Sequence, residues 1–473
     1  MAYFTLHAYD ADVWIPGFAG LKQDDEIASD LRFAIEAENV ETDRGVLQPM
    51  AAPTVLDDEF ASKIETLARF HRRWYTGSGS KDWLVAAAGG KLYYKQDGGS
   101  AWSQLAFPSG VSSYQSNVWS FATYEINPAG SASSVDVLLM SNAKDGMIMV
   151  VPPYTATVSN PNWKAQAVDT LGKKFGVIER YAERIWGGAI PDDPDTLMYS
   201  RPYDPTDWTA AGVGEEPEDG AGDINQPSWD GDQFTALRTF GSQLLAFKKT
   251  RVWRILGTDP GEYTFKEQYG GGAPYAGTIS VDTERILMAE SDGLSQYDGM
   301  SVVPFRRNMI ERLWKRVNRA AMDQMCSALF KNRYYLSVPI DGATANNALI
   351  VYDGEEGSFL LYTGIYIENM MATEDKLYAT SSTLPGKILV INHDSWETGQ
   401  TQGDVLWRTP WMDFGRKSMA KGGYEIYFSP EVRGDPVTFK FSIESEKKSK
   451  SKLVTGQTST FKAKQKRVRF GGT

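Results

Sequence analysis

The feature of this 473-residue sequence that most restricts its fold is an internal repeat. The stretch DGLSQYDGMSVVPF, residues 292 to 305, contains an apolar run, a Tyr-Asp-Gly turn and a second apolar run. A period of roughly 40 to 50 residues, with two clear strands and room for two weaker ones, is typical of a four-stranded propeller blade. Seven such units start 42 to 59 residues apart, at Trp83, Val135, Arg184, Gln243, Arg285, Arg333 and Lys376.

The residue types in each unit favour strands. Val, Ile, Leu, Tyr, Phe and Trp fill the runs, whereas Gly, Asp, Asn and Pro lie between them, where turns need them. Asp298-Gly299 and Asp353-Gly354 are strong hairpin signals. The runs are too continuous for a sheet with one wet face, but blades stacked face to face bury both sides. We therefore predict an all-β fold, a β-propeller of about seven blades; six or eight blades and a pair of β-sandwiches are the alternatives.

The repeat divides the chain into three parts. Residues 1–60 are expected to be an extended segment that contributes to propeller closure, and residues 61–400 to be the propeller itself. Residues 401–473 are expected to form a small C-terminal β-sandwich-like domain with a basic tail, because Phe439 and Phe441 belong to a strictly alternating pattern. The segment QKRVRFGGT resembles one strand, either at a sheet edge or completed by a partner.

Residues 30–40 are a candidate for the closing strand. Apolar residues there alternate with more polar neighbours, which suits a strand, although the same letters also suit a short helix. The apolar set is Leu31, Phe33, Ile35 and Ala37.

One helix is predicted between two of the repeat units. Asn308 is a good N-cap, and Glu311 follows three residues later. Apolar residues then recur at helical spacing, at Ile310, Leu313, Trp314 and Val317. Such a helix either fills space against the propeller or presents Trp314 to a partner.

Charge is distributed unevenly along the chain. The net charge is −11, and residues 447–473 carry seven Lys, two Arg and no acidic residue, so this tail contributes +9 and the other residues −20. An acidic body repels nucleic acid and anionic membranes over most of its surface. We expect the tail to dock on an acidic neighbour rather than on DNA. The interface candidates are therefore Trp314 and the basic residues Lys447, Lys448, Lys450, Lys452, Lys464, Lys466, Arg467 and Arg469.

No pattern of catalytic residues is recognisable. The single cysteine, Cys326, leaves no internal disulfide or multi-cysteine metal site, and the three histidines lack metal-ligand spacing. No apolar run is long enough to span a bilayer, and the first residues lack the basic and apolar regions of a signal peptide. We therefore expect no enzyme activity, no cofactor, no metal and no membrane.

Two local patterns resemble functional motifs. Asp97, Gly99 and Trp102 have the spacing of the Asp-box turn of sialidase-like propellers, a turn that stabilises the fold and does not catalyse. The acidic loop, residues 214–232, contains seven carboxylates. It lacks the ordered spacing of a calcium loop, so a solvated excursion is favoured over a calcium site.

The sequence resembles the propeller proteins of tailed-phage virions, in particular the tail-hub or packaged-DNA-stabilisation proteins of short-tailed phages. The likeness lies in LLAFKKTRVWRILGTDP, DGLSQYDGMSVVPF, the helix and NRYYLSVPIDGATANNALIVYDGEEGSF, and it extends from about residue 20 to 440. NVETDRGVLQP, residues 39–49, resembles the N-terminal "Asn-Val … Gly-x-Leu" segment of that group. SRPYDPTDW, residues 200–208, resembles its Asp-Pro-x-x-Trp turn.

The resemblance implies a structural virion protein, made in the host cytoplasm and located in the tail. It implies a tail hub or nozzle built as a homo-oligomeric ring, with six subunits in that group, that extends the channel for DNA ejection near the head–tail connection. Other tail or connector proteins would be its partners, and DNA would pass without sequence-specific binding. A carbohydrate- or receptor-binding adhesion propeller and a glycoside-acting enzyme are the alternative functions.

Overall fold

The computed structural model describes most of the chain between residues 4 and 411 and four short stretches beyond it. The described residues are 4–8, 11–15, 17–24, 30–43, 45–73, 81–127, 134–152, 163–225, 232–268, 270–391, 403–411, 424–428, 439–443, 450–454 and 466–470.

Four-stranded antiparallel sheets are the main unit of the fold. The first three along the chain are blade 1 (Ile64–Arg72, Lys81–Ala88, Lys91–Gln96, Ser103–Gln104), blade 2 (Ser120–Ile126, Val135–Asn142, Gly146–Val151, Lys164–Val168) and blade 3 (Val177–Tyr181, Arg184–Gly188, Thr196–Tyr199, Gly222–Asn225). The next two are blade 4 (Phe234–Phe240, Gln243–Lys248, Val252–Leu256, Thr264–Gln268) and blade 5 (Ser280–Val281, Ile286–Glu290, Gly293–Tyr297, Val302–Pro304).

Two further sheets complete the ring. The large sheet has eight strands, namely Cys326–Phe330, Arg333–Val338, Ala348–Asp353, Ser358–Thr363, Gly20–Leu21, Phe33–Ala34, Glu36–Glu38 and Leu406–Arg408. The closing blade has four, namely Ile367–Ala372, Leu377–Ser381, Lys387–Ile391 and Thr54–Glu59. Each sheet shares a hydrophobic cluster with the next one, and the closing blade shares one with blade 1. The predicted all-β propeller is confirmed.

The number of separate blades differs from the predicted number. In the part of the chain that the structure describes, six sheets are separate four-stranded blades, rather than seven. The repeat unit at Arg333 is not separate, because its last strand, Ser358–Thr363, pairs with Gly20–Leu21 and Glu36–Glu38 from the N-terminal region. The added strands turn that unit into the large sheet, which a repeat-based count does not foresee.

The strand that closes the ring is not the one the sequence favoured. Thr54–Glu59 pairs antiparallel with Lys387–Ile391 and becomes the outer strand of the closing blade. Residues 30–40 contain no helix; their strands Phe33–Ala34 and Glu36–Glu38 join the large sheet, and Val40 begins the strand Val40–Asp43. Of the alternating apolar set, Ile35 and Ala37 are buried, but Ala34 between them is buried as well, so burial follows the alternation only in part.

Both faces of the central strands are buried, as their continuous apolar sequence predicts. All eight residues of Val135–Asn142 and all six of Ala348–Asp353 are buried. A sheet enclosed on both sides by neighbouring sheets needs such runs, because every side chain along the strand then contacts apolar atoms. The continuous runs therefore mark the middle strands of the sheets.

Helical structure among the described residues is confined to segments of three to six residues. They are the 3-10 turns Pro217–Asp219, Pro260–Glu262, Ala276–Thr278, Arg307–Ile310 and Arg319–Gln324 and the α-helix Glu311–Trp314. No helix in the described part of the chain is long and apolar enough to cross a membrane.

The predicted helix is present but shorter, and the predicted cap is wrong. Arg306 has a left-handed φ of 45°, and the Arg307–Ile310 turn follows it before the α-helix begins at Glu311. Asn308 therefore lies inside the 3-10 turn, and its side chain donates a hydrogen bond to Asp24 at 2.9 Å.

The two ends of the described chain meet in one four-stranded sheet, here named the terminal sheet. Its order is Ala11–Ile15, Phe4–Ala8, Tyr424–Phe428 and Lys466–Phe470. Within residues 1–60, Phe4–Ala8 and Ala11–Ile15 therefore belong to the terminal sheet, whereas Thr54–Glu59 closes the propeller. Phe439–Ile443 and Lys450–Val454 form a separate two-stranded hairpin, and the sandwich arrangement stays a prediction.

Candidate interaction surfaces

Trp314 is a core residue rather than a surface anchor. Its side chain is 5% exposed and belongs to the cluster between blade 5 and the large sheet. The indole Nε1 donates to the carbonyl of Ser291 at 3.3 Å. Ile310 and Leu313 are buried in the same cluster, so the short helix fills space. This geometry leaves the Trp314 side chain almost no surface to offer a partner.

The basic tail lies partly in the terminal sheet and partly in the hairpin. Lys466, Arg467 and Arg469 lie in the strand Lys466–Phe470, and Lys450 and Lys452 lie in the hairpin strand Lys450–Val454. Lys447, Lys448 and Lys464 lie outside the described residues.

The strand Lys466–Phe470 is the outermost strand of the terminal sheet. It pairs antiparallel with Tyr424–Phe428, with Val468 opposite Ile426. In the described part of the chain no strand pairs with its other side. Of the two interpretations left open by the sequence, the structure shows an edge strand within this chain. An edge strand presents backbone N–H and C=O groups to which another strand can bind.

The acidic loop is fixed by a buried arginine that the sequence did not single out. Arg184 is 0% exposed, and its guanidinium donates to the carbonyls of Ser200 at 2.8 Å and Gly220 at 2.6 Å. It also donates to the carbonyl of Glu218 and lies 5.2 Å from the centre of the Tyr199 ring. Because the donors reach backbone oxygens, the side chains of Glu218 and Asp219 stay exposed, whereas Asp232 at the end of the loop is buried.

A second acidic turn lies beside this loop. The 3-10 turn Pro260–Glu262 packs against Pro217–Asp219. Glu218, Asp219 and Glu262 are exposed there, so two segments distant in sequence form one acidic surface. No group of three or more His, Cys, Asp or Glu that suits a metal ion occurs in the described residues, which exclude 226–231. The acidic residues of the loop can be recognised in the sequence. The Pro260–Glu262 turn lies beside the loop only because the blades pack together.

The histidines are dispersed. His71 Nδ1 lies 2.7 Å from Asp82 Oδ1, and Arg69 Nε donates to the same oxygen at 2.9 Å. Burial acts to raise the pKa of Asp82, but the bonds from Arg69 and His71 prevail and lower it. His7 lies in the terminal sheet, and His393 lies outside the described residues.

The Asp-box-like turn joins the two ends of the propeller ring. Asp97 lies in blade 1, and its Oδ1 accepts a hydrogen bond from the Tyr378 hydroxyl of the closing blade at 2.5 Å. Burial raises the pKa of the Tyr378 hydroxyl, and the bond to Asp97 adds to this shift. The Trp102 ring packs edge-on against Phe60 at 5.2 Å. These contacts are structural, in agreement with the role expected of such a turn.

A groove of about 210 Å³ lies between blades 1 and 2. Pro108, Tyr114 and Met147 line its apolar part, and Asp145 and Lys173 line its polar part. The Asp145 carboxylate already accepts bonds from the backbone N–H of Gln115 and Ser116 at 2.9 to 3.1 Å. The Asp145 carboxylate is therefore used to hold the loop between the blades.

Glu179 provides a test of the packing between blades 3 and 4. Burial raises the pKa of its carboxyl, although the Arg238 charge and the 3.2 Å bond from the Thr239 N–H oppose the shift. A raised carboxyl pKa in the folded state means that stability is highest below the unfolded pKa and falls as pH rises through the folded value.

We expect Glu179→Gln to remove this pH dependence. The free energy of unfolding of the variant, relative to the natural protein, should increase as the pH is raised from about 4 to 7. Urea unfolding at several pH values measures it, and Glu183→Gln, at an exposed ion pair with Arg180, is the matched control. A difference that stays constant with pH would show that the Glu179 carboxyl is not destabilised by burial.

Comparison with known proteins adds little. No protein-family model matches the chain, and no curated protein matches it. Among solved structures, the computationally designed Ika8 protein gives a TM-score of 0.38 at 9% identity, over 79% of this chain and 100% of its own. The Neurospora crassa Pan2 WD40 domain gives 0.36 at 8% identity, over 71% and 90%. The AfRom2 CNH domain gives 0.36 at 11% identity, over 73% and 100%. At these values the likenesses carry no argument about function.

Proposed function

We propose that this protein is a structural subunit of a tailed-phage virion, a tail hub or nozzle protein without enzyme activity. Identical subunits associate into a ring that extends the DNA-exit channel and docks other tail proteins. The resemblance described from the sequence supports this function and implies six copies per ring.

The observation that carries the proposal is the separation of charge between the body and an edge strand. The 446 residues before the basic tail carry −20, whereas the tail carries +9. Three of its basic residues, Lys466, Arg467 and Arg469, lie in the outermost strand of the terminal sheet, and no described strand pairs with its outer edge. A basic strand edge on an acidic molecule favours contact with an acidic copy of the same molecule. The acidic remainder suits a conduit wall, because a basic lining would bind the passing DNA.

The segments that carry the resemblance are anchored in the fold. Asn39, the first residue of NVETDRGVLQP, lies between the N-terminal hairpin Val40–Asp43 and Val46–Pro49 and the large sheet, where it bonds to Thr363. In the second segment the buried Trp208 donates from Nε1 to the Pro205 carbonyl at 3.2 Å. Both segments thus support a structural role in shaping the subunit.

The direct test is the mass and shape of the purified protein. We expect native mass spectrometry and negative-stain electron microscopy at about 0.05 M salt to show rings with a central channel, which dissociate as salt approaches about 1 M because the contacts are charged. A strictly monomeric protein that binds glycans would overturn the proposal in favour of an adhesion propeller. Glycoside turnover abolished by one carboxylate substitution would overturn it in favour of an enzyme.

A further inference from the structure

A strand that pairs with the open edge of the terminal sheet must have a suitable length and charge. The strand Lys466–Phe470, with the sequence KRVRF, contains three basic and two apolar residues and no acidic one. A strand that pairs along its whole length has at least five residues, and carboxylates opposite the basic residues would stabilise the pair.

Only one outer strand among the described blades meets both conditions. Lys164–Val168 in blade 2 carries a lysine and no acid, and Thr264–Gln268 in blade 4 carries one lysine and one glutamate. The outer strands of blades 1, 3 and 5 have fewer than five residues. Thr54–Glu59 in the closing blade, with the sequence TVLDDE, has six residues, three of them acidic and none basic.

We propose that Lys466–Phe470 of one copy adds to Thr54–Glu59 of a second copy as an antiparallel strand, and so joins neighbouring subunits. This inference rests on the proposed self-association and names the two edges that carry it. Two antiparallel registers pair all five residues of Lys466–Phe470, and the proposed one places Phe470 opposite Val55 and Lys466 opposite Glu59. Arg467 then lies opposite Asp58, and Arg469 opposite Leu56.

The exposed residues of Thr54–Glu59 fit this register. Val55 is an apolar residue that is 46% exposed on an outer strand, and Phe470 would cover it. The Glu59 side chain is 71% exposed, and its ion pair with Lys387 at 3.1 Å is a surface pair of small energy. Lys466 can therefore also bind the Glu59 carboxylate without a large loss of free energy from the ion pair with Lys387. Asp58 keeps its own partner, Lys95, at 2.7 Å, so its bond to Arg467 is expected to contribute less.

The symmetry of such a contact agrees with a ring. The two edges lie in different sheets of the subunit, so the contact is heterologous, with a different surface used on each side. Heterologous contacts repeat from copy to copy and close into a ring when the rotation permits. Each subunit would then donate one basic strand and receive another.

Disulfide cross-linking tests the proposed register. In the double variant Val55→Cys with Phe470→Cys, mild oxidation of the full-length protein should give a ladder of dimers and larger species on a non-reducing gel, because residues opposite each other in a strand pair satisfy disulfide geometry. The native Cys326 is buried, so the two single-cysteine variants should give no ladder. Val213→Cys with Phe470→Cys is the matched control, since Val213 is fully exposed but lies outside Thr54–Glu59, just before the acidic loop.

Charge exchange provides the second test. Glu59→Lys should weaken assembly at low salt by at least tenfold in the dissociation constant, and Lys466→Glu added to it should restore most of the loss. Assembled rings without a Val55–Phe470 ladder and without this rescue would overturn the strand pairing while the proposed function stands. Monomers at every salt concentration, with no ladder, would overturn both, and a ladder in the Val213 control would remove the specificity of the contact.

Discussion

Replacement of Arg184 by alanine should lower the free energy of unfolding by roughly 3 to 5 kcal/mol, because it combines a large-to-small change in the core with the loss of buried hydrogen bonds. Arg184 is completely enclosed and donates to the carbonyls of Ser200, Gly220 and Glu218. The substitution leaves a cavity beside Tyr199 and removes a charged donor from three carbonyls. Urea unfolding followed by tryptophan fluorescence measures the loss.

The Arg184 substitution should also release the acidic loop. Hydrogen exchange of the amides in residues 214–220 should accelerate more than exchange in blades 1 and 2, because two of the three carbonyls that lose their donor lie in this loop. Arg180→Ala is the matched control, since its ion pair with Glu183 is exposed and worth no more than about 1 kcal/mol. A loss below about 1 kcal/mol for Arg184→Ala, or unchanged exchange in the loop, would contradict the anchoring role.

Replacement of Asn39 by alanine should lower the free energy of unfolding by about 3 kcal/mol. The Asn39 side chain is 3% exposed, donates to Thr363 Oγ1 at 3.0 Å and to the Asp404 carbonyl at 2.9 Å, and accepts from the Thr363 N–H at 2.8 Å. Its φ of 57° is left-handed, a conformation that asparagine tolerates better than alanine. Thermal or urea unfolding measures the change.

Asn39→Gly separates the two causes of the Asn39 effect. Glycine accepts the left-handed φ but cannot make the side-chain bonds, so this variant should recover about 1 kcal/mol relative to alanine and remain well below the natural protein. Equal stabilities of the glycine and alanine variants would mean that φ contributes nothing. A glycine variant as stable as the natural protein would mean that the bonds to Thr363 and Asp404 contribute nothing.

The repeat was readable from the sequence because its determinants are local. Apolar runs such as Val135–Asn142 and the turn at Asp298-Gly299 describe strands and hairpins through neighbouring residues alone. The buried position of Trp314 could not be predicted from the sequence. The spacing of apolar residues indicates that one face of the helical turn is buried. It does not show whether the protein core or a partner protein covers that face. Blade 5 and the large sheet cover it here.

The candidate interaction surfaces could be predicted only in part, because the sequence shows residue types but not which strands and blades pack together. The basic residues of the tail are visible in the sequence, but the position of Lys466–Phe470 at a sheet edge depends on its pairing with Tyr424–Phe428. The acidic loop is visible too, whereas its anchor Arg184 looks like an ordinary strand residue. Arg184 is identified only when the blades bring Ser200 and Gly220 to its guanidinium.

The sequence by itself determined an all-β propeller and the separation of acidic and basic segments, because residue periodicity and charge are properties of short stretches. The tertiary structure alone decided that Thr54–Glu59 closes the ring, that residues 30–40 extend the large sheet and that Phe4–Ala8 joins the terminal sheet. These pairings join segments far apart in the chain. Their partners are selected by which edges remain open after the blades have packed, and no local pattern encodes that outcome.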